Sequence, residues 1–147
     1  MPELILAAAI LTLGIGASVY WANPHRLTNR AFLAFSLINA SWLYCVFMAM
    51  RAGALLQAGE GANPIPWIRA ASAVGAFFPF LIWSMKESIL TTEIRGHQIK
   101  GQALVWFGIG CALAVLCFTK YYIPPESRPG AELRGSGYYI YTSISLV

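Results

Sequence analysis

The chain has 147 residues, of which 58% are hydrophobic and 11% charged, against about a quarter charged in an ordinary soluble domain. The mean hydropathy of +0.61 argues against a water-exposed globule. The net charge of +4 comes from basic residues scattered singly between apolar runs, so there is no basic patch to hold a nucleic acid. Cys45, Cys111 and Cys117 lie inside apolar runs, where cysteine acts as a small packing residue.

Apolar runs of about 18 residues or more with almost no charge can cross a bilayer as helices. The first is Leu4–Trp21, preceded by Glu3 and closed by Asn23-Pro24-His25-Arg26. An acidic start and a basic end are the wrong order for a signal peptide, and the residue before a proline leaves the helical region. The second run, 31–50, is read as closed by Arg51 and Gly53, and Gln57 to Pro66 forms a Gly- and Pro-rich turn. A third, 67–85, has Arg69 in its first turn and Pro79 inside, where the missing donor to the Gly75 carbonyl should kink it. After the hydrophilic stretch Lys86 to Gly101 comes a fourth run, 102–122, expected to stop at Pro124-Pro125.

Residues 138–147 are too few for an α-helix to cross about 30 Å of hydrocarbon. They are read as the start of a fifth crossing that continues beyond Val147. The runs do not alternate apolar and polar residues as barrel strands do. The expected fold is therefore all-α, a single polytopic transmembrane bundle of four full spans and an incomplete fifth.

Loop charges tie between the two sides. Glu3 before the first span and Arg26 and Arg30 after it favour an extracytoplasmic N-terminus. Tyr20, Trp21, Trp67, Trp83, Trp106, Tyr121, Tyr122, Tyr138, Tyr139 and Tyr141 fall where interface anchors belong.

Chemistry within a bilayer needs ionisable groups at depth, and none stands near a span centre. The first span lacks the carboxylate on which small four-helix multidrug antiporters depend. His25 and His97 have no second ligand at metal spacing, and no hydrolase, nucleotide or redox signature occurs. Neither a catalytic residue, a metal nor a cofactor is expected.

Asn39, with Ser36 on the same helical face, suits an interhelical hydrogen bond or a ligand cavity. Arg69 suits an interfacial anchor or a counter-ion for an acidic ligand or for Glu60. Small residues recur at helical spacing in Ala8, Thr12 and Gly16, in Ala71 and Gly75, in Ser72 and Ala76, in Gly108 and Ala112, and in Gly110 and Ala114. Such faces let lipid-embedded helices pack closely.

The order Asn23-Pro24, Asn29-Arg30, Trp42, Trp67, Arg69 and Pro79 resembles the seven-helix N-terminal sensor region of bacterial histidine kinases. The resemblance covers roughly 4–83, and after Lys86 it is limited to helix count and loop length. It implies a sensory, receptor-like input module of a two-component system in the bacterial inner membrane, truncated before its effector. The signal would be a small molecule or a lipid, and the chain would pair with a second copy or a larger membrane partner. Asn39, Trp42, Arg69, Pro79 and Trp83 are the expected cavity residues. A small oligomeric transporter or channel subunit, or a structural subunit of a larger membrane complex, is the alternative reading.

Overall fold

The computed structural model describes residues 2–90, 98–124, 127 and 133–145. Arg95, His97, Pro125 and Arg128 lie outside the described residues. The described chain is all-α: α1 (Pro2–Ala22), α2 (Leu27–Gln57), α3 (Ile65–Gly75), α4 (Phe78–Leu90), α5 (Gln98–Cys117) and α6 (Ser136–Ser145). α3 and α4 are the two halves of one 26-residue apolar span, Ile65–Leu90, which makes five helices among the described residues. Three helices are long and apolar enough to cross a membrane: α1, α2 and the α3–α4 span. α5 carries a shorter apolar stretch, Gly101–Cys117. α1 packs on α2, α2 on α3 and α4, these two on α5, and α5 on α6.

The first turn is closed by side chains. Asn29 donates through Nδ2 to the carbonyls of Val19 (2.8 Å) and Asn23 (3.0 Å), and Arg30 donates through Nε to that of Pro24 (2.7 Å). Val19 is among the last four residues of α1, whose carbonyls lack a helical donor. The Asn-Pro and Asn-Arg pairs thus cap one helix from the start of the next. Thr28 donates to the Ser88 carbonyl at 3.0 Å and ties the end of α4 to the same end of the bundle.

α2 does not stop at Arg51 and Gly53 as expected but runs on to Gln57. An interior glycine costs only about 1 kcal/mol relative to alanine, and the Ala- and Leu-rich stretch beyond it carries the helix. The stop is Gly59, whose φ of +84° suits the left-handed position that ends a helix. Its N–H donates to Leu56 and that of Glu60 to Leu55, both at 3.0 Å, so the final carbonyls are satisfied. α5, by contrast, ends at Cys117, before its expected stop. Its last turn tightens through Phe118 N–H to Val115 (3.1 Å) and Thr119 N–H to Leu116 (3.0 Å), and the Thr119 hydroxyl also bonds Leu116.

The third span is broken where Pro79 predicts. Pro79 offers no N–H to Gly75, and the Phe77 N–H bonds Val74, three residues back, at 3.2 Å. α3 therefore ends one turn before the proline. Trp42 and Phe35 of α2 clasp Phe78 just beyond the break, each with ring centroids 6.0 Å apart.

Each Gly-Ile-Gly packs through its second glycine. A Cβ at Gly16 would lie 2.4 Å from that of Ser36, and one at Gly110 would meet the Phe77 ring at 3.0 Å, while Gly14 and Gly108 face open space. Outside these seams the surface is apolar: Leu4, Ile10, Leu11, Ile82, Leu104 and Val115 are all more than half exposed. Apolar residues all round a helix suit lipid on the outside.

Gly16→Leu should force α1 off α2 and cost about 1–3 kcal/mol, the range for overpacking. Gly14→Leu should be neutral. Thermal unfolding in detergent micelles, with the two variants compared side by side, checks both.

Candidate functional site

Polar contacts concentrate where the start of α3 meets the end of α5 and the start of α6. Arg69, Ser72 and Gly75 follow one another at spacings of three, which places them on one face of α3. Ser72 gathers three bonds beyond its place in the helix. Its hydroxyl donates to the Ile68 carbonyl (3.0 Å) and accepts from the Tyr122 hydroxyl (2.7 Å), and its carbonyl accepts from the Tyr141 hydroxyl (2.8 Å). Arg69, one turn earlier, donates through its two terminal nitrogens to the carbonyls of Ile123 (2.6 Å) and Phe118 (3.3 Å). One turn of α3 thereby holds the Phe118–Ile123 turn and α6 together.

Aromatic edges reinforce the junction. Tyr122 meets Tyr138 at 5.8 Å and Tyr141 at 5.5 Å between ring centroids. Ala73, Cys117, Tyr122 and Ile123 form a buried cluster, with Ile65, Ile68 and Ala114 packed against it. The chain returns to it because two glycines leave room. Gly135 and Gly137 donate their N–H groups to the carbonyls of Tyr122 (3.1 Å) and Tyr121 (2.9 Å). A Cβ at Gly135 would overlap the Tyr121 carbonyl oxygen, so no larger residue fits there.

Beside the junction, α2 and α3 part to leave a cleft of about 560 Å³. Trp42, Ala49 and Gly53 of α2 face Ile68, Ala71 and Ser72 of α3 across it. Ser72 therefore belongs both to the cleft wall and to the bonds that hold α6. Trp42 and Tyr141 close in on Gly75: a Cβ there would be 3.2 Å from the Tyr141 hydroxyl and 3.7 Å from the Trp42 ring. The cleft has the size of a small-molecule site and a mostly apolar wall with few polar groups, as such sites have.

The five expected cavity residues do not share one space. Trp42 lines the cleft. Arg69 lines a separate 380 Å³ cavity at the α3–α5 end, and Trp83 faces two cavities near the α4–α5 end. Asn39 and Pro79 line none of these four spaces. Asn39 is half-buried and makes no side-chain hydrogen bond among the described residues. Its neighbour Ser36 is fully buried against Gly16 instead. Arg69 bonds carbonyls rather than Glu60. Of the remaining motif residues, Asn23, Pro24, Asn29 and Arg30 build the first turn, and Trp67 packs edge-on against Tyr44 at 6.2 Å.

Ser72, Tyr122 and Tyr141 are absent from that expected set. Tyr122, taken as an interface anchor, is only 4% exposed, because its hydroxyl finds an internal acceptor. The usable signal was the spacing of three between Arg69 and Ser72 and again between Tyr138 and Tyr141. Among the described residues no cluster of His, Cys, Asp or Glu could hold a metal. No protein-family model, curated protein or solved structure matches the chain.

Tyr122→Phe and Tyr141→Phe should each cost about 0.5–1.5 kcal/mol, the net worth of one hydrogen bond. Because both bond the same serine, the double variant should depart from additivity by at least about 0.5 kcal/mol. A double-mutant cycle on thermal unfolding checks the coupling.

Proposed function

We propose that this chain is a membrane-embedded sensory input module: occupation of the cleft between α2 and α3 changes how α6 is held, and α6 carries that change to an effector. One observation carries the reading, the sharing of Ser72 between the cleft and the bonds to Tyr122 and Tyr141. A guest in the cleft would press on the residue that positions α6. The break at Ala76–Phe77 supplies a place to bend, since Pro79 leaves the Gly75 carbonyl without its helical donor.

A signal acts only if it binds one helix arrangement better than the other. An apolar cleft with a serine on one wall suits a small, largely apolar molecule or part of a lipid. The topology that goes with this reading has α1, α2, the α3–α4 span and α5 as four crossings, α6 entering a fifth, and an extracytoplasmic N-terminus in a bacterial inner membrane. The resemblance of the first 80 or so residues to histidine-kinase sensor regions points the same way.

Filling the cleft tests the mechanism without a known ligand. Gly53 faces it with no atom within 4 Å of a Cβ, so Gly53→Phe places a ring inside. Spin labels at Arg51→Cys and Ile144→Cys, on a background with Cys45, Cys111 and Cys117 replaced by Ala, report the α2–α6 distance in nanodiscs. Gly53→Phe should shift the mean distance by about 2 Å or more, the scale of helix shifts in switching proteins. Gly14→Phe, on the open face of α1, should leave it unchanged. Equal distances in the parent and the Gly53→Phe variant would rule the mechanism out.

A further inference from the structure

At the end of the bundle where α3 begins, Arg69 lines a cavity of about 380 Å³ together with Asn63, Pro66, Phe118, Pro124 and Ser127. Its guanidinium carries five N–H donors. Its bonds to the two carbonyls occupy one donor on each terminal nitrogen, and the one to Phe118 is long at 3.3 Å. The Nε donor is buried without an acceptor. Two carbonyl dipoles offset a guanidinium charge only in part, and among the described residues no carboxylate pairs with it. A half-buried cation left in this state is short of an anion.

The surroundings narrow the kind of anion. The first amides of α3 are already taken, Ile65 N–H by the Asn63 side chain (3.0 Å) and those of Trp67 and Ile68 by the Pro64 carbonyl (3.1 Å each). The helix terminus therefore offers no cradle of free amides, and recognition falls to Arg69. The turn that wraps Arg69 carries exposed Lys120 beside exposed Phe118 and Tyr121, with the ammonium 5.6 Å from the Tyr121 ring centroid. Arg134, in the segment bonded to that turn, lies over the Tyr138 ring at 4.6 Å. Cations interleaved with exposed aromatics at the end of apolar helices match the chemistry of a phospholipid interface, where rings sit at headgroup level and cations meet phosphate. A guanidinium, moreover, takes phosphate oxygens two at a time.

We propose that this cavity is a headgroup site for an anionic phospholipid, with Arg69 bonding the phosphate, Lys120 and Arg134 drawing negative charge to the rim, and Phe118 and Tyr121 lying against the acyl region. The site is separate from the α2–α3 cleft and does not depend on the sensory reading.

The test is native mass spectrometry of the whole chain released from mixed micelles containing equal amounts of phosphatidylglycerol and phosphatidylcholine. The parent protein should retain one phosphatidylglycerol in preference by about tenfold, equivalent to about 1.4 kcal/mol. Lys120→Gln should lower the preference, and Arg69→Gln should abolish it. Because Arg69→Gln also frees the Phe118 and Ile123 carbonyls, Arg69→Lys serves as the companion variant. It keeps the charge, and it should retain a reduced preference. Equal retention of the two lipids by the parent would overturn the proposal. So would an unchanged preference in both Arg69 variants. Competition by millimolar inorganic phosphate separates the sources: loss of the bound lipid to free phosphate would show a plain anion site and overturn the lipid assignment.

Discussion

Between apolar helices a hydrogen bond has no water competing for its partners, so a donor that finds an acceptor there fixes the position of whatever carries it. Ser72 and Arg69 exploit this from a single turn of α3. Their bonds reach residues about 50 to 70 positions away: Phe118 and Ile123 from Arg69, Tyr122 and Tyr141 from Ser72. Without them α6 would rest on α5 and on apolar contacts, which lipid tails can replace at little cost. The glycines at 135 and 137 follow from the same constraint. They let the returning backbone lie against Tyr121 closely enough for α6 to begin where Tyr138 and Tyr141 face the junction.

The two ends of the bundle are held by different means. At the α1–α2 turn the bonds are local: Asn29 and Arg30 cap carbonyls six to ten residues away, and Thr28 adds one long reach to Ser88. At the opposite end the bonds are long-range and pass through two residues of α3. The span that joins the ends is broken at Ala76–Phe77. A displacement at the Ser72 end can therefore be taken up at the break while α4 stays clasped by Phe35 and Trp42. The two ends of the bundle therefore differ mechanically, one held by local bonds and the other through a single turn of α3.

Much of this was legible in the sequence because it depends on neighbours along the chain. The apolar runs gave the helices, Pro79 gave the break, and the spaced small residues included Gly16, Gly75 and Gly110, which do pack closely. What was not legible depends on partners far along the chain. Gly53 is read as a helix stop and Gly59 as part of the turn, yet it is Gly59 that ends the helix with a positive φ, where the carbonyls of Leu55 and Leu56 find donors. Tyr122 reads as an interface anchor like Tyr121 beside it. The first is buried and the second 56% exposed because a serine 50 residues earlier accepts one hydroxyl and nothing comparable awaits the other. The expected cavity residues disperse for a related reason: the polarity or bulk of Asn39, Trp42, Arg69, Pro79 and Trp83 along the chain does not say which helices face each other.

Arg69 joins these threads. In a soluble protein an arginine near a helix start would be solvated and its contribution small. Here it stands one turn into an apolar helix, and its terminal nitrogens are spent on two carbonyls of a turn that has itself left the α-helical pattern at Phe118 and Thr119. The carbonyls gain donors that the turn does not supply, and the guanidinium gains acceptors that lipid would not. The exchange offsets the positive charge only in part, with no carboxylate paired to it among the described residues, and leaves one donor enclosed without a partner. A side chain that completes the backbone bonding of its neighbour can therefore remain open to an anion. The same arginine serves the fold through its terminal nitrogens, and in the proposed headgroup site its charge is what would meet the phosphate.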